Sequence, residues 1–423
     1  MCKFSRLDKL INSQRLEQTL FELVNSPSPT GEEGVLAHNI AQHFRDHNIS
    51  ASTQAFNSTQ ANVFATINGK KTEDRNNLLL YAPLDTVTSN NKAEDTPWLD
   101  KTLQPHMLAK AYRQDGHVFG LGAHNPKGHA ACIIEAAHVL SELQLDFNGN
   151  LYFGFGAGGM PTHSREGFPA NTGHGIGCAK LLEKLPPIDA AIIAKSGTTV
   201  TWQEVGFIWL EVTVEGQHNY VGARHLMPYD NAISNAAKLV LKLEDWFEQY
   251  AEKNASNLCR PQAHIAHFNS GWKRMPAFTP ACAKFLIDMR FTPDQNADQV
   301  EAEFASVLEE FSNELAIETH YKRTQTIEAS HTNESELVIQ STIDAWETIN
   351  NTTHQPFREM SGATDANILR QHGIPTARIG LGKPSLPEVN FALGMNCASI
   401  AELEKLTKWL VMSTINYFDE TSS

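Results

Sequence analysis

Positive charge is scarce in this chain. Lys and Arg number 34 against 48 Asp and Glu, giving a formal net charge of -14 and a pI of about 5.7. Nucleic acid and anionic membrane both select clustered Lys and Arg, so neither is expected as a partner. Long apolar runs are missing too: nothing approaches the roughly 18 residues of a membrane span. The stretch from Met1 to Val24 is charged and amphipathic, with Leu16, Leu20 and Leu23 among leucines near helical spacing. It holds no uninterrupted apolar segment of the secretory type, and the expected location is cytoplasmic. Cysteine is sparse. Cys2, Cys132, Cys178, Cys259, Cys282 and Cys397 are scattered, with no Cys-x-x-Cys pair. That argues against a disulfide framework or zinc ribbon and for thiols of a reducing compartment. Repeats and low-complexity tracts are absent.

What is present is apolar texture at two periods. Hydrophobic residues make up 41% of 423, enough for a sizeable core and, at this length, for two domains. Short apolar runs at 77–81, 150–156 and 190–194 read as strands buried on both faces, and 128–143 reads as an Ala-, Ile- and Leu-rich helix. Near Val205 the texture changes. Residues 207–214 alternate apolar and polar, 231–250 is an amphipathic helix, 283–290 a strand, 296–312 a helix and 316–323 a strand. That order predicts a ferredoxin-like β-α-β-β-α-β module. Past about residue 325 the α/β texture returns, with helices over 334–349 and 400–418. The expected organisation is therefore a discontinuous α/β domain, 1–205 and 325–423, with an α+β module at 206–324 inserted into it.

Several short segments carry chemistry. Tyr81-Ala82-Pro83-Leu84-Asp85-Thr86-Val87 is followed by Gly120-Leu121-Gly122-Ala123-His124-Asn125-Pro126-Lys127-Gly128, then by Phe153-Gly154-Phe155-Gly156-Ala157-Gly158-Gly159-Met160. Ser26-Pro27-Ser28-Pro29-Thr30-Gly31-Glu32-Glu33 precedes them, and Gly362-Ala363-Thr364-Asp365-Ala366 follows. In order and spacing these resemble the M20 family of co-catalytic zinc hydrolases: aminoacylases, acetylornithine and succinyl-diaminopimelate deacylases, and glutamate carboxypeptidases. The resemblance covers nearly the whole chain. It implies a zinc-peptidase-like (phosphorylase/hydrolase-like) α/β domain with a lid or dimerisation domain inserted.

The departures from the family pattern fall on its metal ligands. Where the family has the His of His-x-Asp, this chain has Pro83, and where it has the bridging Asp it has Asn125. The family's Glu pair, general base then ligand, is matched by Gly159 and Met160. Lys195 stands at a further acidic ligand, Phe391 at the last His, and Tyr220 at the His that crosses the dimer. Proline and glycine offer no donor, and methionine suits soft ions better than zinc. The resemblance thus implies that zinc, the parent family's cofactor, is not held at these positions, and no cofactor is expected. Two functions stay open: binding of a small amino-acid or peptide-like carboxylate, or metal-independent chemistry with Lys195, Asp85, His124 or Tyr220 as acid/base groups. The alternative is an active zinc deacylase or peptidase with replacement ligands. Lys127 at a helix start, Arg224, Arg290 and Asp365 are the candidate ligand contacts, and a homodimer through 206–324 is expected. Of the 18 histidines only His43 and His47 have the i, i+4 spacing of a helical ligand pair; lying far in sequence from the former zinc positions, they read as ordinary helix residues.

Overall fold

The computed structural model describes residues 7–69, 76–89, 92–163 and 172–421. They form two compact units. The first comprises Met1–Trp202, Thr332–Pro356 and Thr364–Ser423; the second comprises Gln203–His331 and Phe357–Ala363.

The first unit is built on a six-stranded sheet in the order Ser50–Ala55, Ala61–Asn68, Gly149–Gly156, Asn76–Pro83, Ala190–Ala194, Thr376–Ile379. The two junctions on the Ser50–Ala55 side are antiparallel. The remaining three are parallel. A wholly parallel sheet would match the apolar runs; the antiparallel pair at one edge is a difference. Its outer strand, Ser-Ala-Ser-Thr-Gln-Ala, is half exposed and polar, as an edge strand can be. The central strands are continuous apolar runs because helices cover both faces.

Helix Lys127–Leu143 is buried at every position from Lys127 to Leu140, as befits a helix that is apolar nearly all round. Helix Ile400–Glu420 packs on it and on Leu337–Asn350. Helix Ser13–Asn25 shows only one buried stripe, Leu16, Leu20, Leu23 and Val24, and Asn12 caps it by accepting from Gln14 N and Arg15 N. Its Arg15 reaches back to the buried carboxylate Glu135, Nε to Oε2 at 2.7 Å and Nη2 to Oε1 at 2.8 Å. This two-pronged pairing satisfies a charge that would otherwise be costly inside the core.

The second unit is a four-stranded antiparallel sheet in the order Ala263–Ser270, Cys282–Phe291, Gly206–Glu215, Thr319–Ile327. Helices Ala232–Lys253 and Ala297–Leu315 bury their apolar stripes against it around Leu210, Leu243, Phe285 and Phe304. Strand Cys282–Phe291 alternates burial with period two, as a one-sided sheet requires. Chain order and sheet order together make this unit ferredoxin-like, inside a mixed α/β protein. Among the described residues no helix is long and apolar enough to cross a membrane. Cys132, Cys178, Cys259, Cys282 and Cys397 are thiols; Cys2 lies outside the described residues.

Candidate functional site

Strands Gly149–Gly156, Asn76–Pro83, Ala190–Ala194 and Thr376–Ile379 are parallel, so their carboxyl ends share one edge of the sheet. Open α/β sheets bind ligands beyond that edge. Pro83 pairs with Gly156 in register, so Leu84–Asp85 and Ala157–Met160 leave the sheet side by side. The 28–33 loop joins them: Ser28 Oγ donates to Leu84 O at 2.9 Å and Thr86 N to Ser28 O at 2.8 Å.

Asp85 is fully buried. Its Oδ2 accepts from Thr30 Oγ1 at 2.7 Å and Met160 N at 2.8 Å, and its Oδ1 accepts from Gly159 N at 2.9 Å. The segment standing at the family's Glu pair thus offers backbone N–H groups to Asp85. Glu33, also fully buried, accepts from Gly158 N at 2.8 Å and Gly31 N at 3.1 Å through Oε1. Burial first, then the charge of Asp85, push its pKa up to about 8. At neutral pH Glu33 keeps its proton. Across the strands Tyr81 Oη donates to Asp365 Oδ2 at 2.6 Å. Burial, then Asp365, raise the Tyr81 phenol well above its ordinary value, so it stays a donor.

Two glycines make this packing possible. A Cβ at Gly156 would sit 1.9 Å from Tyr81 Oη, so the Tyr81 side chain needs a bare backbone beside it. A Cβ at Gly159 would meet Pro83 Cβ at 2.7 Å, Asp365 Oδ2 at 3.0 Å and Asp85 Oδ1 at 3.2 Å. Pro83, Asp85, Gly159 and Asp365 are therefore brought together, and no side chain fits at position 159 without displacing the others.

Asn125 and Phe391 also meet. They line one small cavity of about 50 Å³ with Val87, Leu99, Leu121 and Met395. Asn125 Nδ2 donates to Met395 Sδ at 3.5 Å, and its buried Oδ1 has no hydrogen-bond partner. Phe391 is 79% exposed at the cavity mouth. Lys195 is buried at the end of its strand; its charge and that of Arg378 help depress His129, for which burial is the main cause. His124 donates Nε2–H to Gly382 O at 2.7 Å and burial lowers its pKa, so it is neutral at pH 7. Lys127, read as a ligand contact, is turned inward: it is fully buried, Nζ donates to Ser26 O at 2.7 Å, and burial lowers its pKa to about 7.

Tyr220, Arg224 and Arg290 belong to the second unit. Arg290 forks onto Asp288 at 2.6 and 2.8 Å beside the Phe207 ring. The Arg224 guanidinium stacks 4.2 Å above the Tyr229 ring. Tyr220 is 53% exposed against Phe278. Glu33, Tyr81 and Thr30 escaped the sequence reading as site residues; they enter because the parallel register brings the 28–33 loop and the strand ends together.

Residues 203–315 match the family model for the peptidase dimerisation domain. Nearly the whole chain is similar to solved M20 structures. Aminopeptidase PepT from Bacillus cereus matches with a TM-score of 0.67 at 19% identity, over 96% of this chain and 99% of that one. Human carnosine dipeptidase 1 matches with 0.70 at 14% identity, over 98% and 99%. The YXEP protein of Bacillus subtilis, described as a dinuclear metal binding peptidase from the M20 family, matches with 0.64 at 15% identity, over 96% and 98%. This chain has the M20 peptidase fold.

The expectation of no cofactor requires correction. The M20 fold is shared with a dinuclear metal binding peptidase, and this chain itself gathers His43, His47 and His138 so that one ligand atom of each lies within 4.8 Å of the others. The sequence shows the His43/His47 pair; His138 arrives on helix Lys127–Leu143 only through packing.

Proposed function

We propose that this M20-type protein binds a small amino-acid or peptide-like carboxylate at the carboxyl ends of its parallel strands, and that the family's zinc route of amide hydrolysis is not run at that centre. The observation that carries this is the space at Gly159. The position from which a general base would act is hemmed in by Pro83, Asp85 and Asp365 at 2.7 to 3.2 Å from a Cβ. The neighbouring carboxylates are engaged in the protein's own hydrogen bonds, and Glu33 is protonated. The cavity beside them suits a short aliphatic side chain, with Asn125 Oδ1 ready to accept one N–H.

The test is a panel of dipeptides and N-acyl amino acids, read both by thermal shift and by product release, with Zn²⁺, Mn²⁺ and Co²⁺ each supplied. A ligand at 100 times its Kd should stabilise the fold by about 2.7 kcal/mol, without product. Turnover that depends on added metal and stops with chelator overturns this reading. It would support a second one, metal-dependent amide hydrolysis with replacement ligands, for which the fold shared with a dinuclear metal binding peptidase is the favouring observation.

We further propose a homodimer through the second unit. The segment from Tyr220 to Tyr229 exposes Tyr220, Val221, Leu226, Met227 and Tyr229 in one stretch, each at least 37%, and a monomer leaves such a patch to water at a cost. Sedimentation at micromolar concentration should report twice the 46.9 kDa chain mass, and Leu226→Lys combined with Val221→Lys should return the monomer. A single-chain mass for the unaltered protein removes the dimer.

A further inference from the structure

We propose that His43, His47 and His138 form a binding site for one zinc-class divalent ion, which clamps helix Gly34–Asp46 to helix Lys127–Leu143. The site is separate from the strand-end centre. His138 lies eleven residues into its helix from Lys127, which at 1.5 Å per residue puts it roughly 16 Å from the helix end that faces the strands.

The geometry is that of ligands in waiting. Ring centroids lie 4.5 Å apart for His43 and His47, 4.5 Å for His47 and His138, and 5.2 Å for His43 and His138. His43 and His47 share one helix face by their i, i+4 spacing. His43 Nε2 and His138 Nε2 are 2.9 Å apart. Two ligands of a tetrahedral zinc, each at about 2.05 Å, stand about 3.4 Å from one another, so small ring rotations bring the three nitrogens to a common centre. His47 is already oriented: Nδ1 lies 2.7 Å from His43 O, a carbonyl that only accepts, so Nδ1 carries a hydrogen and Nε2 is the ring nitrogen that remains for a metal. A ring N–H held by a carbonyl is the usual orienting contact of a zinc histidine.

Glu22 and Asp46 put negative charge near His43, and Arg15, whose guanidinium is paired with Glu135, puts positive charge near His43 and His138; Glu22 lines a cavity of about 540 Å³ with His43. Three imidazole nitrogens favour Zn²⁺, Co²⁺, Ni²⁺ or Cu²⁺ over Mg²⁺ or Ca²⁺, which seek oxygen.

The proposal stands apart from the strand-end reading and is tested without any substrate. Untagged, chelator-stripped full-length protein is titrated with Co²⁺ and the visible ligand-field bands followed, then Zn²⁺ is added in competition. The expected result is one equivalent bound through nitrogen ligands, displaced by Zn²⁺, with a raised Tm in the metal-loaded protein. His47→Gln, at an exposed position, should fold normally and weaken binding by roughly 100-fold or more; His138→Gln should do the same. No bands in the wild-type protein, or binding that survives both substitutions, overturns the assignment.

Discussion

Gly159→Glu, which restores the family's acidic residue at that position, is expected to destabilise the protein by about 3 kcal/mol or more rather than to create a hydrolase. The cost begins at the Cβ, 2.7 Å from the Cβ of a proline ring that cannot rotate away. Gly159→Ala alone should therefore lose about 1–3 kcal/mol, the usual range for overpacking. Glu adds a carboxylate beside Asp365 Oδ2 and Asp85 Oδ1, 3.0 and 3.2 Å from the new Cβ, and like charges in a half-buried site repel. The strain also threatens the Gly159 and Met160 N–H groups on which Asp85 depends. Urea midpoints of the two variants against wild type give the answer. A Gly159→Glu protein with an unchanged midpoint and new metal-dependent activity would show that the strand-end centre still has room for the zinc route.

How much of this was legible beforehand depends on where each signal lives. The runs at 77–81 and 190–194 read as parallel strands because both faces are buried and every position had to be apolar. The edge strand Ser50–Ala55 left no such mark: six small or polar residues, half exposed, look like a loop until their partner at Ala61–Asn68 is known. The ferredoxin-like unit was readable because its strands face water on one side and alternate.

In the strand-end site, the M20 resemblance located Pro83, Asn125, Gly159 and Asp365, yet gave no reason for the glycine. The reason is tertiary: Pro83 and Asp365 fill the volume a side chain would need. Lys127 shows the limit from the other side. A lysine at a helix start beside a glycine suggests an anion contact, and only the packed structure reveals its Nζ on the Ser26 carbonyl. The histidine cluster was half visible, two of its members on one helix and the third on another helix far along the chain.

Glu33→Gln should flatten part of the fall in stability that the wild-type protein shows between pH 5 and pH 8. Glu33 titrates in the native state at about 8 against an ordinary 4.5. The native protein therefore holds a proton that the unfolded chain has already released across that window. Wherever the native state binds more protons, stability falls as pH rises. The loss begins near the unfolded value and levels off above about 8, at roughly 1.4 kcal/mol per pH unit where the difference is complete. Glutamine mimics the protonated acid: its amide oxygen can still accept from Gly158 N and Gly31 N, and it never ionises next to Asp85. The wild-type and variant proteins should have similar urea midpoints at pH 5. They should diverge by roughly 3 kcal/mol at pH 8, with the variant the more stable. Comparing the two proteins at each pH cancels the titration of the other carboxylates and histidines, provided their surroundings are unchanged, and Asp85 keeps its three donors in both. Parallel stability curves from pH 5 to pH 8 would mean that Glu33 ionises in the folded protein as freely as in water. The buried acid would then have to be solvated or paired in a way its position between Gly158 and Asp85 does not provide.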